Sequence, residues 1–284
     1  MPVESAPTHV IGHVTDSHFT ASGELHGAVR PADTFGAALA ALEATGIPLD
    51  ALVHTGDVAD AGDEHAYEQA RASAAVVLER TGWPMAWAAG NHDLRGPMRQ
   101  HLLGTEPSDA PLDSVVDLGG LRLIVLDTSI PQRVEGGLDA EQLQWLDTQL
   151  HDLPEHGAVL AMHHAPVPVQ VTALQALHLT GQAPLADLLR GRGVRAVLGG
   201  HLHYATASLF AGVPVFVAPA TAYSIRIGAP GSGVTGTDGP RAVGLLSLYA
   251  DGAIGYTPVP SDPVRVVAET PEQAFAAMGV LAPR

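Results

Sequence analysis

Five short stretches set imidazole, carboxylate or carboxamide groups directly after apolar runs: Asp16-Ser17-His18, Gly56-Asp57, Gly90-Asn91-His92-Asp93, His163-His164 and Gly200-His201-Leu202-His203. Nitrogen and oxygen donors of this kind suit first-row divalent metals where thiolates are lacking, and the chain has no cysteine. Asp16, His18, Asp57, Asn91, His92, His163, His201 and His203 are too many donors for one closed site. Shared between two metals with one carboxylate as a bridge they fit. Two metals about 3.5 to 4 Å apart can clamp a phosphoryl group while generating hydroxide. Taken singly the residues mean less, since Asp16 and Asp57 could cap helices, Asn91 could serve a turn, and a lone histidine is commonly structural. No HExxH zinc motif, EF-hand loop or phosphate-binding P-loop accompanies them.

Each stretch needs an element to deliver it. Val10–Val14, Ala51–Thr55, Trp83–Ala89, Ala158–Met162 and Val194–Leu198 are short apolar runs that end at these polar groups, and they are expected as buried strands. His54, inside such a run, is expected to be buried and hydrogen-bonded. Phe35, Leu39 and Leu42 recur at helical spacing before Gly46 and Pro48, and an Ala-rich run from Glu64 to Arg80 closes at Gly82. Asp139 with Gln142 forms a capping-box pattern before Leu143, Leu146 and Leu150, and Leu185, Leu188 and Leu189 mark a shorter helical face. Leu121–Leu126 reads as a further strand. Ala205–Phe210, Val213–Val217 and Val243–Tyr249 read as later, more antiparallel strands around a loop between Gly228 and Gly239. The βαβα order predicts a layered α/β protein whose ligands gather beyond the carboxyl ends of its strands. The five polar stretches fall at those ends.

A chain of 284 residues that is 46% hydrophobic can bury one sizeable core, and it is read as a single domain, 1–284, with 204–284 adding the later strands and a C-terminal tail. Thirty acidic residues oppose 14 basic ones, all arginine, and the net charge of -16 disfavours attraction to nucleic-acid backbones or anionic lipid. Aromatic residues at 5%, without basic residues interleaved, offer no base-stacking surface. A small anionic substrate would need a local positive centre. Met1–His9 shows no basic-then-apolar leader and no window is apolar enough to span a membrane, so a cytoplasmic protein is expected. A homodimer through the Ala-rich helix or the terminal strands is compatible with the sequence.

The ordered set Asp16-x-His18, Gly56-Asp57, Gly90-Asn91-His92-Asp93, His163 and Gly200-His201-x-His203 resembles the calcineurin-like metallophosphoesterase superfamily over roughly Val10 to His203. Arg95, the His163-His164-Ala165-Pro166 segment and the compact length are most similar to its class III cyclic-nucleotide and glycerophosphodiester phosphodiesterase branch. The resemblance implies a four-layer α/β/β/α sandwich with two mixed sheets flanked by helices. It further implies that Asp16, His18 and His203 hold one metal, that Asn91, His163 and His201 hold the other, and that Asp57 bridges them. On spacing alone, an extended Gly200–His203 would aim His201 and His203 the same way, whereas a turn would send them to different metals.

The reaction expected from the resemblance is attack of a metal-bridging hydroxide on phosphorus, in line with the departing alkoxide. His92 is similar to the family histidine that contacts the phosphate or leaving-group oxygen, Asp93 is expected to orient it, and Asn91, Arg95 and His164 are further candidates for contact with substrate. The metals would be two divalent or mixed-valence ions, with Mn, Fe and Zn all suited to the donors and Fe/Mn a fitting pair. The leading expectation is a phosphodiesterase for small molecules, 3′,5′-cyclic nucleotides among them. A phosphomonoesterase of the same fold is the nearest alternative, and a metal-bound scaffold that recruits protein partners without catalysis is a third. The segment His164 to Thr180 is expected to carry discrimination between substrates.

Overall fold

The computed structural model describes residues 6–227 and 234–261. Part of the Gly228–Gly239 loop and the expected C-terminal tail lie outside the described residues. In the first sheet, β1 (His9–Val14), β2 (Ala51–His54) and β3 (Met85–Trp87) run parallel, and β12 (Ala242–Leu248) and β13 (Ile254–Pro260) add to the other side of β1 antiparallel, giving the order β13-β12-β1-β2-β3. The second sheet has the order β4-β5-β6-β7-β9-β8. Its parallel centre is β5 (Arg122–Leu126), β6 (Ala158–Met162), β7 (Val194–Gly199) and β9 (Val213–Val217), and β4 (Ser114–Asp117) and β8 (Thr206–Phe210) pair antiparallel at the edges. A short ribbon joins β10 (Ser224–Ile225) to β11 (Gly236–Thr237).

Three hydrophobic layers hold the sheets and helices together. α1 (Pro31–Ala44) and α2 (Glu64–Thr81) pack Phe35, Leu39, Leu42, Tyr67 and Val77 on the outer face of the first sheet, with Val10, Val14 and Leu52. Between the sheets, Ile11, Val53 and Leu246 meet Leu123, Val125, Val159, Ala161 and Leu198. The outer face of the second sheet carries Leu160, Met162 and Val197 against Leu146 of α4 (Ala140–Gln149) and Leu185 and Leu189 of α5 (Gln182–Leu189). The alternation in β1 follows the pleat: Val10 and Val14 face the helices, and Ile11 faces the other sheet. The result is the four-layer α/β/β/α sandwich with two mixed sheets.

Local signals explain the boundaries. Asp63 caps α2 by accepting from the backbone of His65 and Ala66, and α2 ends at Gly82 in the left-handed region (φ 70). Asp139 and Gln142 form the reciprocal capping box that opens α4. After β3 a short turn, α3 (Arg95–Pro97), runs into a π-helical segment, Met98–Leu103. Among the described residues no helix is long and apolar enough to cross a membrane.

Candidate metal centre

β1, β2, β3, β6 and β7 each end at one of the polar stretches, and the backbone pairing continues past the strands. Asp16 N–H donates to Gly56 O at 3.0 Å and His18 N–H to Asp57 O at 3.0 Å. The loops therefore stand in register, which stacks Asp16, His18 and Asp57 side by side. Five of the expected ligands adopt left-handed backbone: Asp16 (φ 51), His18 (φ 47), Asp57 (φ 55), His201 (φ 73) and His203 (φ 55). Such conformations cost of order 1 kcal/mol or more at non-glycine residues and persist where surrounding structure imposes them. Two glycines give the required closeness: a Cβ on Gly90 would collide with the Asp57 carboxylate, and one on Gly200 with the Thr15 hydroxyl and Asp16.

The hydrogen bonds fix the imidazole tautomers. His18 Nδ1–H donates to Asp60 Oδ1 at 3.0 Å, and His203 Nδ1–H donates to the Tyr223 carbonyl at 3.0 Å. Each Nε2 is left with a lone pair, yet the two Nε2 atoms lie 3.0 Å apart. His18 Nε2 is also 3.6 Å from Asp57 Oδ2, and His203 Nε2 is 3.4 Å from Asp16 Oδ1. Four buried electron-pair donors thus converge, an arrangement that a cation between them satisfies.

A second set repeats the pattern. His163 Nδ1–H donates to the Thr55 carbonyl at 2.8 Å, so that Nε2 faces Asn91 Oδ1 at 3.1 Å, His201 Nδ1 at 3.2 Å and Asp57 Oδ2 at 3.3 Å. His201 Nε2 is buried without a hydrogen-bond partner. Asp57 Oδ2 therefore touches both sets. His201 and His203 reach different sets because Gly200–Tyr204 bends beyond β7, with Leu202 N–H donating to Gly200 O at 2.9 Å. Two buried His/Asp clusters of this composition fit a dinuclear divalent metal site.

The electrostatics point the same way. Burial opposes ionisation of Asp57, yet His163 and His18 beside it hold its carboxyl well below the usual range. Asp16 is likewise held low against its burial, chiefly by His203. Burial would lower His163, but the Asp57 carboxylate outweighs it and pushes the imidazole up to about 9 in the metal-free site, so that a metal at Nε2 would take the place of a proton. The pocket is one that draws positive charge.

His92 stands beside this centre, about two-fifths exposed. Its backbone N–H donates to Asp57 Oδ1 at 2.9 Å, and its Nδ1–H donates to the Asp60 carbonyl at 2.6 Å, which leaves Nε2 free. Its ring meets His18 edge-on at 4.8 Å. Burial opposes protonation of His92, but Asp57 and the Asp60 carbonyl raise its pKa above the ordinary value.

Three of the expected site residues have partners of their own within the protein. Asp93 does not orient His92: its carboxylate accepts the backbone N–H groups of Val58, Ala59 and Gly90 and the Tyr67 hydroxyl, so it ties two loops together. Arg95, expected to contact substrate, is engaged by the protein: Nε lies 2.7 Å from buried Asp127 Oδ2 while the terminal nitrogens donate to the Asp109 and Ser129 carbonyls. His164 is buried behind His201, with its rings 4.5 Å apart. Its Nε2–H donates to Val134 O at 3.2 Å and its Nδ1 accepts from the Thr128 hydroxyl at 2.9 Å, so both nitrogens have protein partners although the residue clusters with His163 and His201. Burial, followed by His163 and His201, keeps it neutral, well below its ordinary pKa.

Sequence reasoning missed Asp60, which fixes the tautomer of His18 by its side chain and that of His92 by its carbonyl. Its place three residues after Asp57 was the available signal. Thr55 and Tyr223 act through their carbonyls, for which side-chain identity gives no sign.

Comparison with known proteins agrees with this geometry. The family model described as calcineurin-like phosphoesterase matches residues 9–205. The chain is 40% identical over 264 residues to a Rhodococcus erythropolis protein named "Probable cyclic nucleotide phosphodiesterase", covering 92% of this chain and 87% of that one. It is 41% identical over 246 residues to a cAMP/cGMP dual specificity phosphodiesterase of Mycobacterium tuberculosis, covering 86% and 77%. Among solved structures, a dimetal phosphatase from Danio rerio aligns with a TM-score of 0.60 at 17% identity over 90% of this chain and 97% of the other, which shows a shared fold.

Proposed function

On the premise that this chain belongs to the calcineurin-like phosphoesterase family, we propose that its substrates are 3′,5′-cyclic nucleotides. The coarser activity is that of a metal-dependent enzyme hydrolysing small phosphodiesters. The similarity to relatives named for cyclic-nucleotide hydrolysis supports the finer reading. The observation that carries the coarser activity within the structure is the pair of donor sets sharing Asp57, with the free Nε2 of His92 beside them.

Asp16, His18 and His203 would hold one metal, Asn91, His163 and His201 the other, and Asp57 both. Mn, Fe and Zn suit these nitrogen and oxygen donors. When bound, the metals supply Lewis acidity toward phosphoryl oxygens and lower the pKa of water. The protein's own part is to aim the ligands and to handle a proton. Carbonyls of Thr55 and Tyr223 and the carboxylate of Asp60 lock the tautomers that leave lone pairs pointing inward. Asp16 is held by its own neighbours, accepting from the Thr15 hydroxyl at 2.7 Å and the His201 N–H at 3.0 Å. His92, with its Nδ1–H held by the Asp60 carbonyl, would use Nε2 to donate a proton to the oxygen that leaves phosphorus. The whole chain as one catalytic domain and a cytoplasmic location belong to the same proposal, the second resting on the substrate class and checked by cell fractionation.

The test is steady-state hydrolysis of matched aryl phosphodiester and phosphomonoester substrates by manganese-reconstituted protein. The diester should be preferred. His92→Ala should lower kcat by about 100-fold or more with metal content unchanged. Preference for the monoester, or full activity in His92→Ala, would contradict the assignment.

A further inference from the structure

Beside Asn91, the loops that follow β3 and β5 enclose a trough of about 480 Å³. Leu94, Pro97, Ile130 and Pro131 give it apolar walls, and Asp109 and Gln132 stand along it. Leu94 is 53% exposed, a large apolar side chain left in solvent next to a strongly polar centre. It is held there by the chain beneath it, since Gly62 approaches so closely that a Cβ would collide with the Leu94 side chain. Ile130 is similarly seated over Gly137, where a Cβ would come within 2.9 Å of Ile130 Cδ1. The walls are thus built features rather than loose loop residues.

The charge pattern narrows the occupant. Arg95, which also lines the trough, has Nε beside Asp127 and its terminal nitrogens donating to the Asp109 and Ser129 carbonyls, so its charge is largely met by the protein. Of the two carboxylates that line it, Asp93 is taken up by backbone N–H groups and the Tyr67 hydroxyl, whereas Asp109 belongs to an exposed residue and disfavours a second anion while accepting from a donor such as an amino group or a hydroxyl. The volume suits a ligand of small-molecule size, with apolar faces to bury its rings and a few polar groups to orient it. We propose that this trough binds the nucleoside of the substrate while the phosphoryl group lies at the Asp57 centre, and that Leu94 and Ile130 determine specificity. The proposal rests on the cyclic-nucleotide reading above. It also moves discrimination away from the His164–Thr180 segment, where sequence alone placed it.

Manganese-reconstituted full-length protein hydrolysing an aryl diester serves as the reporter, with adenosine 5′-monophosphate and inorganic phosphate as competing inhibitors. In the wild type the nucleotide should inhibit more tightly than phosphate. Leu94→Ala and Ile130→Ala should raise the inhibition constant of the nucleotide about tenfold, the low end of the range for an apolar contact and fitting for half-exposed walls, and leave that of phosphate within twofold. Ile130→Trp, which fills the trough instead of emptying it, should abolish the advantage of the nucleotide over phosphate. Parallel changes for both inhibitors, or no change for either, would overturn the assignment of the trough. The reading it rests on fails separately, through wild-type enzyme that cleaves the aryl diester and leaves 3′,5′-cyclic nucleotides intact.

Discussion

The guanidinium of Arg95 and the imidazole of His92 leave one loop in different directions, and their surroundings decide their tasks. Arg95 reaches buried Asp127 and two carbonyls, whereas His92 keeps Nε2 in the open beside the metal centre. Arg95→Met should therefore destabilise the protein by about 3 kcal/mol, the usual cost of stripping one partner from a buried pair. The KM for a small aryl diester should stay within threefold. Denaturant unfolding and steady-state kinetics on one preparation check both, and a large rise in KM without loss of stability would return Arg95 to the substrate. At this scale the two clusters of buried donors were legible in sequence, because aspartate and histidine recur at fixed spacing after apolar runs. The roles of Asp93, Arg95 and His164 were not, because a neighbour in sequence is not a neighbour in space. Asp93 turns toward the Val58–Ala59 backbone, and His164 follows His163 in the chain yet faces Thr128 and Val134.

Among the elements, β1 and β2 carry two histidines that face no solvent. His13 lies between a tyrosine and a threonine hydroxyl, with Nδ1 2.8 Å from Tyr256 and Nε2 3.0 Å from Thr55, and His54 Nε2 lies 2.9 Å from Ser17 Oγ. The expectation that His54 is buried and bonded is met. Burial pushes both imidazoles down from 6.5 to about 3, against a smaller opposing pull from Asp16. The sign is set by proton uptake: between pH 6.5 and 3 the unfolded chain binds protons at these sites that the folded chain does not, so stability falls as pH falls. At pH 5 each histidine should account for about 2 kcal/mol of that loss. His13→Asn should accordingly flatten the dependence of unfolding free energy on pH between 7 and 5 by about that amount, whatever its effect at pH 7. Parallel pH profiles for variant and wild type would contradict a neutral His13. Strands with apolar runs were legible, whereas β4 and β13 were not. β4 is largely exposed at a sheet edge, and β13 carries Pro258 and Pro260, residues that argue against a strand except at an edge, where β13 lies.

For the whole molecule, two sheets meet over one apolar layer and bring the ends of five strands to a common edge, so residues from Asp16 to His203 converge on one centre. A chain of net charge -16 can then bind an anion through bound cations instead of through its surface. The layer order was available from the resemblance to a known family. The turn that separates His201 from His203, and the left-handed backbone at five of the proposed ligands, became visible only in three dimensions. Two metals shared through Asp57 are the basis of the proposed hydrolysis of cyclic nucleotides. The most direct measurement titrates metal-free protein with Mn²⁺ while following both bound metal and hydrolysis of a 3′,5′-cyclic nucleotide. The account predicts that activity rises with occupation of the second site and levels at two equivalents, with Asp57→Asn unable to reach that level. Full activity at one equivalent, or no turnover with two equivalents bound, would contradict it.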